Sequence, residues 1–160
     1  MFIIQCVRTP PELTSLFREQ GRKITPQRKL LFQLLHENKT HPTAESLYAM
    51  ADAKLPGISL RTVYQTLGEL AEMGELQSID VGNGAIRFDP NVGDHHHVVC
   101  DKCGKVRDVH VKGIAQLKPT GVEDFTFSDI GILFHGTCKL CKQSKSTKSS
   151  TTREKQHGKA

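Results

Sequence analysis

Ser59-Leu60-Arg61-Thr62-Val63-Tyr64-Gln65-Thr66-Leu67-Gly68-Glu69-Leu70-Ala71 decides the fold class. Leu60, Val63, Tyr64, Leu67, Leu70 and Ala71 recur with the 3.6-residue period of a helix and line one apolar stripe. Ser59 stands where an N-cap belongs, and Gly74 where the helix ends. The opposite face, Arg61, Thr62, Gln65, Thr66 and Glu69, is polar and mostly hydrogen-bonding rather than merely charged. The period then shifts towards two. Leu76, Ile79 and Val81, the turn Gly82-Asn83-Gly84, then Ile86 and Phe88 predict a two-stranded hairpin with a tight turn.

Upstream the pattern is helical. The spacing predicts a short helix over 11–19. Thr25 caps a second, with Pro26 at its first position and Leu30, Leu31, Leu34 and Leu35 on one stripe. Thr43 caps a third, carrying Ala44, Leu47, Tyr48 and Ala51, and Leu55-Pro56-Gly57 stops it. Three helices and a hairpin are the order of a winged helix-turn-helix, whose last helix enters the major groove while the hairpin touches the backbone. A small helical bundle with a decorative hairpin has the same periodicity.

After Asp89-Pro90 the character changes. Strands are predicted over 96–100, 106–111 and 125–134, with one short helix over 113–117 before Pro119. The expected organisation is an extension over 1–10, a winged-helix unit over 11–89, a hinge over 90–93, a β-rich unit over 94–141 and a disordered basic tail over 142–160. The fold class is α+β.

Charge and composition bound the function. Of the 160 residues, 37% are apolar and 24% charged, and there is no Trp, so the core must be mainly aliphatic. No apolar run approaches the ~20 residues of a membrane helix, and the opening Met1-Phe2-Ile3-Ile4 is too short for a signal peptide. A cytoplasmic globular protein is expected, without a membrane partner. The formal charge of +5 resides in the tail, where Lys142, Lys145, Lys148, Arg153, Lys155 and Lys159 face only Glu154. The remainder is neutral overall, with a local basic excess over residues 1–30.

Four of the five cysteines form two C-x-x-C pairs, Cys100/Cys103 and Cys138/Cys141; Cys6 stands apart. Two residues between cysteines let both thiolates reach one ion from a tight turn, and two such turns complete a tetrahedral, closed, structural Zn²⁺ site. A redox C-x-x-C and chance core cysteines are the alternatives. A zinc-containing thiol reductase would need a separate reactive thiol, and only Cys6 is spare. A zinc deaminase would need a His-x-Glu ahead of Pro-Cys-x-x-Cys, and neither occurs.

His95-His96-His97 precedes the first pair. On a strand His95 and His97 share a face and His96 points away. Two imidazoles so placed can hold a borderline metal, and Asp89 and Asp108 could add oxygens, a donor set suited to Fe²⁺ or Mn²⁺ as well as Zn²⁺. A polar surface run is the other reading. His36, His110 and His157 are given no role.

Taken with these features, Arg22-Lys23-Ile24-Thr25-Pro26-Gln27-Arg28, His41-Pro42-Thr43-Ala44-Glu45, Ser59 to Leu67, Arg87-Phe88-Asp89 and His95 to Gly104 resemble the ferric uptake regulator (Fur) family, on its peroxide-sensing, PerR-like branch. The resemblance covers most of 11–141. It implies a non-enzymatic, homodimeric, metal-dependent repressor bound to a double-stranded DNA operator, with a winged helix followed by a small α/β dimerisation domain. Cys100, Cys103, Cys138 and Cys141 fall on the family's structural zinc position. His41, Asp89, His95, His97 and Asp108 fall on its regulatory Fe²⁺ or Mn²⁺ position; His41 is supplied by the resemblance alone. Asp89, where relatives often carry Glu, resembles the peroxide sensors, in which an imidazole ligand is oxidised; His41 and His95 are the candidates. An iron- or zinc-responsive repressor of metal uptake genes shares the same fold. Ser59, Arg61, Thr62, Tyr64 and Gln65 are the expected DNA-facing residues, and Arg22 and Arg28 the expected phosphate contacts. The chain departs from the family at Ile130 and Leu133, where many relatives carry further metal ligands, at Pro119, which shortens the dimer-domain helix, and in the first ten residues.

Overall fold

The computed structural model describes residues 7–82 and 84–143. Cys6, Asn83, His157 and nearly all of the basic tail lie outside the described residues. Four helices come first: α1 (Pro10–Glu19), α2 (Pro26–Leu35), α3 (Ala44–Asp52) and α4 (Leu60–Glu72). Each start has a visible cause. The Glu12 carboxylate accepts from the Thr9 N–H (2.8 Å) and hydroxyl (2.6 Å). Thr25, Thr43 and Ser59 each accept the N–H of the residue three positions on, the capping the sequence predicts. Leu13, Phe17, Leu31, Phe32, Leu47 and Leu67 are fully buried where the four helices meet, and Phe17 packs edge-on to Phe32 at 4.9 Å.

The hairpin follows as β1 (Gln77–Asp80) and β2 (Ile86–Asp89), antiparallel, with Gln77 opposite Asp89. The predicted turn includes Asn83, which lies outside the described residues; Val81, just after β1, has a buried side chain. It packs against Val99 and Val106 of the next unit. The hairpin is thus both the wing of the first unit and a wall of the second.

The second unit is a three-stranded sheet: β3 (His96–Cys100), β4 (Val106–Val109) and β5 (Leu133–Gly136), in the order β4-β3-β5. The β3–β4 pair is antiparallel and the β3–β5 pair parallel. Two expectations are corrected here. The strand predicted over 125–134 is confined to β5. Phe125 and Phe127 have no core to face and stand 65% and 53% exposed. The short helix is a single 3-10 turn, Ile114–Gln116, and a further short helix, α5 (Lys139–Gln143), carries the last cysteine.

The segment over 90–93, expected as a hinge, is held by side-chain turns. Asn91 N–H donates to Asp89 Oδ1 (2.8 Å), and Gly93 N–H to Asn91 Oδ1 (3.2 Å). The residues expected to form the end of a separate extension pack onto the body. Val7 is buried in the helical core, its N–H donates to the Pro90 carbonyl, and Arg8 pairs with Glu75 at 3.0 Å.

Candidate metal centres

His41 opens the larger cluster. It lies in the loop before α3 with φ 49, a left-handed conformation that costs a residue with a Cβ of order 1 kcal/mol. Two contacts hold the loop there. Phe88 N–H donates to the Pro42 carbonyl (2.9 Å), and Arg87 Nη1 reaches the His41 carbonyl (3.5 Å). Arg87 Nη2 donates to the Gly104 carbonyl (3.0 Å) beside the first cysteine pair, so one guanidinium links the His41 loop to the turn that carries Cys103.

The ladder supplies the rest. Asp89 ends β2, and cross-strand pairing sets His97 of β3 directly opposite Asp108 of β4. His95 enters β3 with its ring on the same side as His97, whereas His96 turns away and accepts from the Ile132 N–H (3.4 Å). Asp89 Oδ2 lies 2.7 Å from His95 Nε2, 3.0 Å from His97 Nε2 and 3.2 Å from His41 Nε2. Asp108 Oδ1 lies 2.7 Å from His41 Nε2. One atom from each of the five residues falls within 4.8 Å of all the others.

The donors fit a divalent cation. His95 Nδ1 is 2.7 Å from the Gly93 carbonyl; donation there leaves the Nε2 lone pair facing the centre, the tautomer a metal ligand needs. His41 is 2% exposed, yet neither of its ring nitrogens makes an aligned hydrogen bond. Nε2 approaches two carboxylates off the N–H direction, as a donor converging on an ion does. Asp89 is buried, which would raise its pKa, but its three imidazole partners outweigh burial and hold it well below the usual carboxylate range. Burial would depress His41, but Asp89 and Asp108 outweigh it and hold the imidazole above its ordinary value; His95 is raised chiefly by Asp89. The cluster therefore attracts positive charge, and protons and a cation compete for the same nitrogens.

The second cluster joins Cys100, at the end of β3, and Cys103 to Cys138 and Cys141. Gly104, at φ 68, closes the first turn by donating to the Cys100 carbonyl (2.8 Å). Cys103 Sγ and Cys138 Sγ are 3.8 Å apart. That is far beyond a disulfide, and it matches the edge of about 3.8 Å of a tetrahedron with Zn–S bonds of about 2.3 Å. The Cys138 N–H first, then that of Cys103, push the Cys100 thiol down to about 6. Cys138 and Cys103 together push Cys141 up to about 12. Hydrogen bonding to its sulfur neighbours thus favours the Cys141 thiol, whose proton a divalent ion would displace.

The face of α4 differs from expectation. Arg61, Tyr64 and Gln65 are exposed, and Ser59 and Thr62 bond one another at 2.9 Å at the helix start. The Tyr64 hydroxyl donates to the Glu45 carboxylate of α3. Thr66 and Glu69, read as polar surface, are buried. Glu69 is turned inward by Arg28, at 2.7 Å, and Arg22, at 2.9 Å. The expectation that Arg28 touches phosphate is corrected. It is 8% exposed, donates to the Lys23 carbonyl and lies over the Phe17 ring, so its charge is spent inside the protein. Arg22 is likewise engaged, bridging Glu69 and Glu72. Sequence reasoning missed Arg87 and Asn91; a polar residue in a strand or turn carries no periodic signal.

A model of the ferric uptake regulator family matches residues 19–135. The chain belongs to this family. Among curated relatives, the peroxide-responsive repressor PerR of Staphylococcus epidermidis is 33% identical over 134 residues, covering 82% of this chain and 89% of the relative. The peroxide operon regulator of Bacillus subtilis is 32% identical over 134 residues, covering 82% and 92%. Among solved structures, the ferric uptake regulator Fur of Helicobacter pylori superposes with a TM-score of 0.72 at 19% identity, covering 86% of this chain and 96% of that one, which supports the α+β fold. These relatives are regulators, not enzymes. No helix of the described residues is long and apolar enough to cross a membrane.

Proposed function

We propose that this chain is a cytoplasmic, homodimeric repressor whose grip on operator DNA depends on Fe²⁺ or Mn²⁺ at the His41 cluster and whose signal is peroxide. One observation carries the reading: His41 and Asp89 come from the DNA-binding unit, His97 and Asp108 from the sheet unit, and His95 from the junction, yet their donor atoms converge. A ligand set divided in this way binds one relative placement of the units better than any other and so selects it.

In this reading Cys100, Cys103, Cys138 and Cys141 hold structural Zn²⁺, and Arg61, Tyr64 and Gln65 face bases with Ser59 and Thr62 at the backbone. Two copies must present their α4 helices at the groove repeat. The exposed Leu117, Phe125, Phe127, Ile130 and Phe134 offer apolar surface for the second copy, and the outer edge of β5 has no strand partner among the described residues. Bound Fe²⁺ would supply one-electron chemistry towards peroxide, with the His41 and His95 imidazoles as the adjacent oxidisable groups. A ligand lost from either residue weakens the selection of the DNA-binding arrangement.

The test uses purified dimer and operator DNA. Fe²⁺-loaded protein loses DNA binding after mild peroxide and gains one oxygen on a peptide holding His41 or His95, while Mn²⁺-loaded protein keeps its DNA. Equal behaviour of both forms with no modified histidine would instead make iron or zinc supply the signal. Tight operator binding after Ala replaces His41, Asp89 and His97 together would remove metal control altogether.

A further inference from the structure

Each carboxylate of the His41 cluster has one oxygen inside and one outside, and the same residue holds both outer oxygens. Asp89 points Oδ2 at the three imidazoles, while its Oδ1 accepts from the Asn91 N–H at 2.8 Å. Asp108 points Oδ1 at His41, while its Oδ2 accepts from the Asn91 side-chain amide at 3.1 Å. The amide orientation is dictated, because Asn91 Oδ1 accepts the Gly93 N–H on its other side. Gly93 in turn, through its carbonyl, fixes the His95 tautomer. Three of the five donor residues are therefore oriented from the hinge, through Asn91 and the turn it closes.

We propose that Asn91 is the positioning residue that limits Asp89 and Asp108 to one donor oxygen each, so that the site presents three nitrogens and two oxygens and takes its metal preference from that count. The inference rests on the regulatory-site reading above. A carboxylate with both oxygens free can turn and chelate an ion through both; one whose outer oxygen is already bonded cannot do so without breaking that bond. Carboxylates that hold metals are themselves held by outer hydrogen bonds, and removal of such a partner typically costs about 10–100-fold in metal affinity. Asn91 is well placed for this because it lies between the units. Its backbone grips the ligand from the DNA-binding side and its side chain the ligand from the sheet side.

The experiment titrates the zinc-loaded, full-length protein with Co²⁺, whose visible bands weaken as coordination number rises, and measures Mn²⁺ affinity in parallel. Asn91→Ala frees Asp108 Oδ2. Its expected signature is weaker Co²⁺ absorption per ion together with Mn²⁺ affinity lowered about tenfold or more, at unchanged zinc content. Asn91→Ser keeps an acceptor that can close the turn on Gly93 but has no amide to reach Asp108, so it should match Asn91→Ala. Wild-type spectrum and affinity in both variants would overturn the proposal. Rescue by Ser alone would also overturn it, since that assigns Asn91 only a turn-forming role. Loss of the underlying reading looks different: Co²⁺ then fails to bind the wild type, or binds equally well after Ala replaces His41, Asp89 and His97.

Discussion

Up to the start of the hairpin, large side chains such as Phe17, Phe32, Leu47 and Leu67 are wholly shielded from water. In the sheet unit the apolar cluster among the described residues is Val99 and Val106, with Val81 lent by the wing and Ile79 and Leu133 at its margin, while Phe125 and Phe127 remain in solvent. Full burial of one large apolar side chain is worth roughly 1.5–3 kcal/mol, so the helical unit accumulates many such terms and the sheet unit very few. The two halves must therefore be stabilised differently, the first by its own core and the second by a cross-linking ion and a partner surface.

The largest expected effect tests this contrast directly. Structural zinc in a small unit supplies apparent binding energies of about 10 kcal/mol or more that are also folding energy. Cys138→Ser should abolish zinc binding and dimerisation and remove hydrogen-exchange protection over 96–136, while protection in α2 and α4 persists. A zinc-free dimer with β3 still protected would end the comparison.

The intermediate effect belongs to the helical unit. Arg28→Ala leaves Glu69 buried with the half-exposed Arg22 and the Gln65 amide beside it, and breaking such a pair costs about 3 kcal/mol. The unfolding midpoint should fall with zinc content unchanged. A shift within error would mean that Glu69 finds water, and that the core is looser than its burial implies. The smallest effect sharpens the border between the halves. Arg87→Leu removes the contacts to the His41 and Gly104 carbonyls, and Mn²⁺ affinity, read by titration, should drop about tenfold with zinc retained. Unaltered affinity would mean that the Pro42–Phe88 contact alone holds His41 in place.

The helices were readable because each advertised itself locally: an apolar stripe at 3.6-residue spacing, a capping Ser or Thr, a stop. The paired cysteines were readable because metal geometry constrains short spacings. What failed did so for physical reasons. The segment around Phe125 has strand-like composition, yet a strand needs a neighbour, and β3 accepts only Leu133–Gly136 on that side. Arg28 and Arg22 looked like basic surface because nothing local shows that Glu69, some forty residues away, turns inward to meet them. Of the His41 cluster, His95 and His97 were visible as alternate positions on one strand, and Asp89 and Asp108 as nearby acids. His41 came only through family likeness, since its place depends on how the loop before α3 docks on β2. Asn91 and Arg87 were invisible, because orienting a ligand leaves no mark on sequence spacing.

Because Cys103 and Cys138 are separated by 35 positions, and β5 pairs in parallel with a strand made much earlier, the order of events during synthesis is constrained. Domains generally fold as the ribosome releases them, the earlier part first. The reader of DNA is complete and buried while half of the thiolate cage is still untranslated. Until the second pair emerges, Cys100 and Cys103 have only half of the cluster's sulfurs to work with. Closing of the thiolate cluster by Cys138 and Cys141 therefore comes late in the folding of the sheet unit.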